Sequence, residues 1–230
     1  MSGSGRRILA VDDEPQILRA LRVTLRSHGY EVTTATTVEE GLDAAAVSAP
    51  DAAILDLLLP DGDGVELARR LREWSSMPII LHSAVGEEEE KVRALRAGAD
   101  DYVTKPFGPD ELVARLEAVL RRTSPASEGS LIEVAGLEVD MIDHTVRRDG
   151  EEIHLTPTEF ELLSMFVRAR GRLLTHRALL TEVWGPEYAD DVTVLRGQIA
   201  NLRRKIEPPE RARRHYIRTE PGVGYRFNPR

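Results

Sequence analysis

No cysteine occurs among the 230 residues, which excludes disulfides and thiolate metal sites and fits a reducing cytoplasm. No apolar run approaches the roughly 20 residues of a membrane span. The N-terminal MSGSGRR lacks the apolar stretch of a secretory signal. Internal repeats and long low-complexity tracts are absent too, so a solenoid plan is excluded. His28, His144, His154, His176 and His215 show no spacing suited to a metal.

What is present fits one large domain or two ordinary ones. An apolar share of 41% supplies packed cores, and a charged share of 30% keeps the surface wet. The net charge of −8 argues against indiscriminate nucleic-acid binding, but it is an average over a gradient. Residues 1–123 hold 15 Lys/Arg against 22 Asp/Glu, a net of −7. Residues 193–230 hold 10 against 3, a net of +7. An acidic front and a basic tail point to two different tasks.

The pattern along the chain changes once. A short apolar strand ending in acid is expected in RRILAVDDE, and further strands at 31–35, 52–57, 78–82 and 101–103, alternating with helices at 15–28, 37–47, 64–73, 86–97 and 109–122. Five strand–helix pairs imply a parallel sheet covered on both faces. RTSPASEGS at 122–130 reads as a linker. Beyond it, residues 131–155 alternate in short segments with a turn at Asp149-Gly150, which predicts antiparallel hairpins. Helices at about 157–170, 175–183 and 191–206 follow, then two short strands in YIRTEPGVGYRF.

One carboxylate is out of place. DAAILDLLLPDG is apolar enough for a buried strand, yet carries Asp56. Burying an unpaired carboxylate costs several kcal/mol, roughly, so such a group is paired, metal-bound or reactive. In a doubly wound sheet, ligands gather beyond the carboxyl ends of the strands. There the chain places Asp12 and Asp13, then Asp56, His82 and Ser83, and finally Lys105. Carboxylates sharing one pocket raise one another's pKa unless a cation intervenes, and Mg²⁺ suits oxygen ligands. Taken singly, Asp56 could be the salt-bridge mate of Lys105, and Asp12 and Asp13 a helix cap. The DGDG segment fails as a calcium loop, because Leu59 and Arg70 would stand at ligand positions. Tyr102 alone reads as core.

In order and spacing, VDDE, LDLLLPDGDG, HSA and DDYVTKPF resemble the receiver domain of two-component response regulators over residues 6–122. The resemblance implies a flavodoxin-like (βα)5 fold and makes Asp56 the phosphoryl acceptor. Asp13, Asp56 and the Leu58 carbonyl would hold Mg²⁺, with Asp12 acting through water. Ser83 and Lys105 would meet the phosphoryl oxygens, Tyr102 would couple to Ser83 as a switch, and Lys105-Pro106 would be cis. His82 departs from the family, which usually has an aliphatic residue there. An aspartyl-phosphate phosphatase of the haloacid-dehalogenase type is rejected, because Leu58 stands where a second Asp is required.

Residues 131–228 resemble the effector domain of the OmpR/PhoB subfamily through LTPTEFELLSMF, LLTHRALLTEVWG and PGVGYRF, a winged helix-turn-helix. The implied domains are a receiver at 1–122, a linker at 123–130 and a winged helix at 131–230. LPDGDG, LREWS, VWGP and VLRGQIANLRRKIE narrow the resemblance to KdpE-type regulators of potassium uptake. Arg196, Gln198 and Asn201 are candidate base readers, with Arg203, Arg204 and Arg218 on phosphates and Lys205 in the groove-facing set. Val223 would enter the minor groove beside Arg226. Thr156 and Trp184 would anchor the DNA backbone, with core the alternative for Trp184, and Gly197 would permit close approach to DNA. The subfamily also implies receiver dimers, with Lys91 paired to Glu111 and Asp100 or Asp101 paired to Arg115 or Arg122. The expected partners are a sensor histidine kinase and double-stranded promoter DNA, and no membrane. Two alternatives stay open: a regulator that works without phosphate, and an enzyme that hydrolyses phosphate.

Overall fold

The structure is a computed structural model that describes residues 5–84, 88–121, 131–134, 136–207 and 216–227. Two compact units divide the chain, Met1–Leu120 and Arg121–Arg230. Arg122 and the expected linker at 123–130 lie outside the described residues.

The first unit runs β1 (Arg7–Val11), α1 (Pro15–Ser27), β2 (Glu31–Ala35), α2 (Val38–Ser48), β3 (Ala52–Asp56), β4 (Leu58–Leu59), β5 (Gly62–Asp63), α3 (Gly64–Arg72), β6 (Ile79–Ser83), α4 (Glu88–Arg96), β7 (Asp101–Thr104) and α5 (Pro109–Arg121). Five strands form a parallel sheet in the order β2-β1-β3-β6-β7. The small β4–β5 ladder was not anticipated; a two-residue strand is too short to show a period.

Side chains alternate across the sheet, and each face has its own core. Leu9, Val11, Ala53, Leu55, Ile79 and Leu81 pack with Val38, Leu67, Leu71 and Ala94 from α2, α3 and α4. Ile8, Ala10, Ile54, Ile80 and Val103 face the other way, against Leu18, Leu21 and Leu25 of α1 and Leu112, Leu116 and Val119 of α5. The α1 residues sit three and four apart, the spacing that puts them on one helical stripe.

Period two also decides where the polar residues go. Asp12 continues the series Ile8–Ala10, Asp56 follows Ile54, and His82 follows Ile80, so all three share the face covered by α1 and α5. Val11 pairs with Leu55, and Asp56 pairs with His82, so the strands deliver the three residues side by side.

The second unit contains β8 (Leu131–Val134), β9 (Leu137–Asp140), β10 (Thr145–Arg148) and β11 (Glu151–Glu152) in an antiparallel sheet. Asp149 and Gly150 both take positive φ, 53° and 83°, as a two-residue hairpin turn requires. Then follow α6 (Pro157–Ala169), β12 (Leu173–Thr175), α7 (His176–Val183), α8 (Val192–Ile206), β13 (Ile217–Glu220) and β14 (Gly224–Phe227). The wing strands β13 and β14 take β12 as a third, unanticipated neighbour.

Gly64 opens α3 directly against the acceptor strand. A Cβ there would stand 2.0 Å from the Asp56 carbonyl oxygen and 2.9 Å from Leu81 Cδ2. Gly64→Ala must push α3 off β3. A loss of about 1–3 kcal/mol is expected for such overpacking, read as a lower urea midpoint with an unchanged slope.

Candidate functional site: an acidic pocket and a basic helix

The pocket lies beyond the ends of β1, β3 and β6. Asp12, His82 and Ser83 are fully buried and Asp56 is 5% exposed. Lys105, just after β7, donates from Nζ to Asp56 Oδ2 at 2.8 Å and to Asp12 Oδ2 at 3.1 Å. The Glu14 N–H donates to Asp12 Oδ1 at 2.8 Å, and the Leu58 N–H stands 3.5 Å from Asp56 Oδ1. His82 Nε2 is 3.6 Å from Asp12 Oδ2. The Lys105-Pro106 peptide is cis.

Burial is the dominant electrostatic fact here. It raises Asp12 to about 6, with the Asp56 charge adding to the rise and the bonds from Glu14 and Lys105 opposing it. Burial works against the Lys105 ammonium too, but its bonds to Asp56 and Asp12 outweigh that and raise its pKa. His82 is lowered to about 4, chiefly by burial, so its ring is neutral near pH 7. Two carboxylates thus face one ammonium in a largely buried pocket. That donor set fits a divalent cation, and the oxygens suit Mg²⁺.

Asp12 and Asp56 meet as the sequence suggests, and Lys105 joins them. Asp13, next along the chain from Asp12, is exposed. Leu58, the first residue of β4, is 60% exposed. Tyr102 is buried rather than splayed outward, and its hydroxyl shares a hydrogen bond with Ser83. Sequence reasoning missed Gly64, although DGDG contains it: a lone glycine at a helix start carries no sign of the strand it must approach.

In the second unit, α8 is capped by Asp191, whose Oδ1 accepts the Val194 N–H. Its outward side shows Arg196, Ala200 and Arg204. Gln198 and Asn201 are buried, which corrects their reading as base contacts. Helical phase explains this: Gln198 stands four residues from both Val194 and Leu202, on the apolar stripe. Gly197 is buried as well, so closeness to DNA does not account for it.

Arg203 is spent inside the unit. It donates from Nε and Nη2 to the Ile217 carbonyl at 3.0 and 2.6 Å, and from Nη2 to Thr219 Oγ1 at 3.0 Å. Lys205 pairs with the buried Glu159 at 2.7 Å, and Arg226 donates to the Gly171 carbonyl at 3.0 Å. Thr156 and Glu159 form the capping box of α6, and Trp184 is core. Neither Thr156 nor Trp184 is a surface anchor. Arg218 and Val223 are exposed on the wing.

Comparisons with known proteins agree for both units. Residues 8–117 match the response regulator receiver domain, and residues 150–227 match the C-terminal domain of transcriptional regulatory proteins. The transcriptional regulatory protein KdpE of Mycobacterium tuberculosis is 50% identical over 96% of this chain and 98% of its own. The KDP operon regulator KdpE of Escherichia coli is 47% identical over 96% and 98%. The solved Thermotoga maritima response regulator DrrB, an OmpR/PhoB homologue, is 33% identical over 96% and 98%, with a TM-score of 0.51. The chain belongs to the OmpR/PhoB-type two-component response regulators.

As a response regulator it couples a phosphorylatable receiver to a DNA-binding winged helix and is not an enzyme. Its α4–β7–α5 surface is more self-contained than the sequence suggests. Asp100 is fully buried and binds Arg72 at 2.8 Å and the Ile79 N–H at 2.9 Å, which removes it from any exposed interface. Asp101 is buried and lies 3.4 Å from Arg115 of the same chain, which also binds Glu111 at 2.7 Å. Lys91 is half-buried on α4.

The raised pKa of Asp12 carries a sign. The folded chain binds that proton more tightly than the unfolded chain, so stability falls as pH rises from about 4 towards 6. Asp12→Asn removes this penalty. In chelator-treated buffer its melting temperature should gain on the wild type as pH rises from 5 to 8. About 1–3 kcal/mol is expected at the upper end; a pH-independent difference refutes the assignment.

Proposed function

We propose that Asp56 is the phosphoryl acceptor and that a sensor histidine kinase is the donor. The observation that carries this is the ammonium of Lys105 held between Asp56 and Asp12 at the sheet edge. An Asp56 oxygen attacks phosphorus in line; the bond to the donor imidazole breaks, and that ring takes up a proton. Carboxylate is a weak nucleophile, so orientation and charge neutralisation do most of the work. Lys105 neutralises charge on the transferring oxygens. Asp13, Asp56 and the Leu58 carbonyl would hold Mg²⁺, with Asp12 reaching it through water. When bound, Mg²⁺ supplies further neutralisation and orientation of the phosphoryl group. The new dianion offers acceptor oxygens to the Ser83 hydroxyl. Ser83 in turn bonds Tyr102, so a change at Asp56 reaches the α4–β7–α5 face.

That face is the proposed homodimer surface, with Lys91, Glu111 and Arg115 the exchangeable members. On DNA, Arg196 and Arg204 read or clamp the major groove, and Arg218 and Val223 serve the wing. Two weak readers joined as a dimer gain avidity without new base contacts. The KdpE-like sequence supports genes of potassium uptake as the target and the cytoplasm as the place of action. Among the described residues no helix is long and apolar enough to cross a membrane.

Incubation with a small phosphodonor and Mg²⁺ should add one phosphoryl group, on the order of 80 Da by intact mass. Asp56→Asn should abolish the adduct and the donor's effect on dimerisation and DNA affinity. A full response in the variant would sink the acceptor assignment. Footprinting upstream of potassium-uptake genes checks the target. Arg196→Ala should weaken binding there by about 1–3 kcal/mol if Arg196 reads a base.

A further inference from the structure

His82 has no part in the chemistry described above. Both ring nitrogens are buried without a hydrogen-bond partner among the described residues. Buried polar atoms in that condition call for a ligand or a reason. The ring meets Phe107 edge-on, with centroids 5.5 Å apart. One ligand atom each from Asp12, Asp56 and His82 lies within 4.8 Å of the others.

We propose that Asp12, Asp56 and His82 form a site for a divalent transition ion that accepts imidazole, Zn²⁺ in the first instance, whose binding withholds Asp56 from phosphoryl transfer. This regulatory role rests on Asp56 being the acceptor. Mg²⁺ takes oxygen ligands and retains its waters, so it has no use for His82. Imidazole beside two carboxylates instead favours zinc and its first-row neighbours. Tetrahedral zinc, with ligand distances of about 2.0–2.2 Å, sets its ligand atoms roughly 3.3–3.6 Å apart. His82 Nε2 and Asp12 Oδ2 already stand 3.6 Å apart, at that spacing.

The ion would displace the Lys105 ammonium, which now lies between the two carboxylates. Lys105 has a way out: its Nζ is already 3.9 Å from the exposed Glu14 carboxylate. The charge balance favours the exchange, because a dication matches two carboxylates and one ammonium leaves an excess of negative charge.

Calorimetric titration of the full chain with ZnCl₂, and separately with MgCl₂, tests this in the wild type, His82→Leu and Asp12→Asn. Loss of even an outer-shell partner costs about 10–100-fold in metal affinity, so His82→Leu should lose about a hundredfold or more for zinc. Its magnesium affinity should change far less. If the leucine variant does not fold, Co²⁺ added to the unaltered protein supplies the readout. A paramagnetically shifted ring N–H of a buried, slowly exchanging histidine is then expected, and it should vanish in Asp12→Asn. Equal zinc affinity in wild type and His82→Leu, or no such proton with cobalt, overturns the site. Phosphoryl labelling of the wild type in Mg²⁺ without zinc tests the acceptor reading by itself. Labelling that zinc leaves untouched, despite binding, removes the regulatory claim.

Discussion

The register of three parallel strands governs the receiver. With Val11 opposite Leu55 and Asp56 opposite His82, side-chain alternation carries two acids and an imidazole onto one face at one edge. A shift of one residue in any of these strands would turn its polar residue to the opposite face and bury it among aliphatic side chains. The apolar residues upstream therefore hold the pocket together as much as the polar ones do. Ile8, Ala10, Ile54 and Ile80 fit only one face of the sheet.

The same dependence of chemistry on packing appears in the winged helix. Arg203 looks like a phosphate ligand in a basic run, yet its guanidinium bonds the carbonyl of Ile217 and the hydroxyl of Thr219 on β13. It also lies over the Tyr225 ring, 5.7 Å from the centroid. Its charge therefore joins α8 to the wing and fixes the angle between the two elements. Gly224 serves the same end, since a Cβ there would stand 2.0 Å from the Leu174 carbonyl oxygen of β12. Of the basic residues in α8, Arg196 and Arg204 are left exposed.

Order, type and approximate bounds of the long elements were legible because burial imposes a period that sequence displays. The acidic pocket was legible because strand ends are where a parallel sheet places its ligands, and the acids stood at those ends. What sequence hid depended on helical phase or on partners distant along the chain. Gln198 and Asn201 have the chemistry of base readers, but their phase relative to Val194 and Leu202 turns them inward. Asp100 and Asp101 are adjacent acids of equal promise, yet one answers Arg72, 28 residues earlier, and the other Arg115. Short pieces such as β4, β5 and β12 carry too few residues to show a period.

The receiver's outer face bears on how tightly two copies can associate. Arg115 already holds Glu111 at 2.7 Å and approaches Asp101 at 3.4 Å within its own chain. Moving such bonds between chains exchanges one ion pair for another, and exposed pairs contribute about 0–1 kcal/mol each. The exchange alone therefore gives almost no net affinity. The proposed association through this face must draw on a change in the face itself, and the buried Tyr102, bonded to Ser83 beside Asp56, is placed to connect that face to the pocket. In the proposed dimer, weak intrinsic pairing is what would make assembly responsive to the state of one carboxylate.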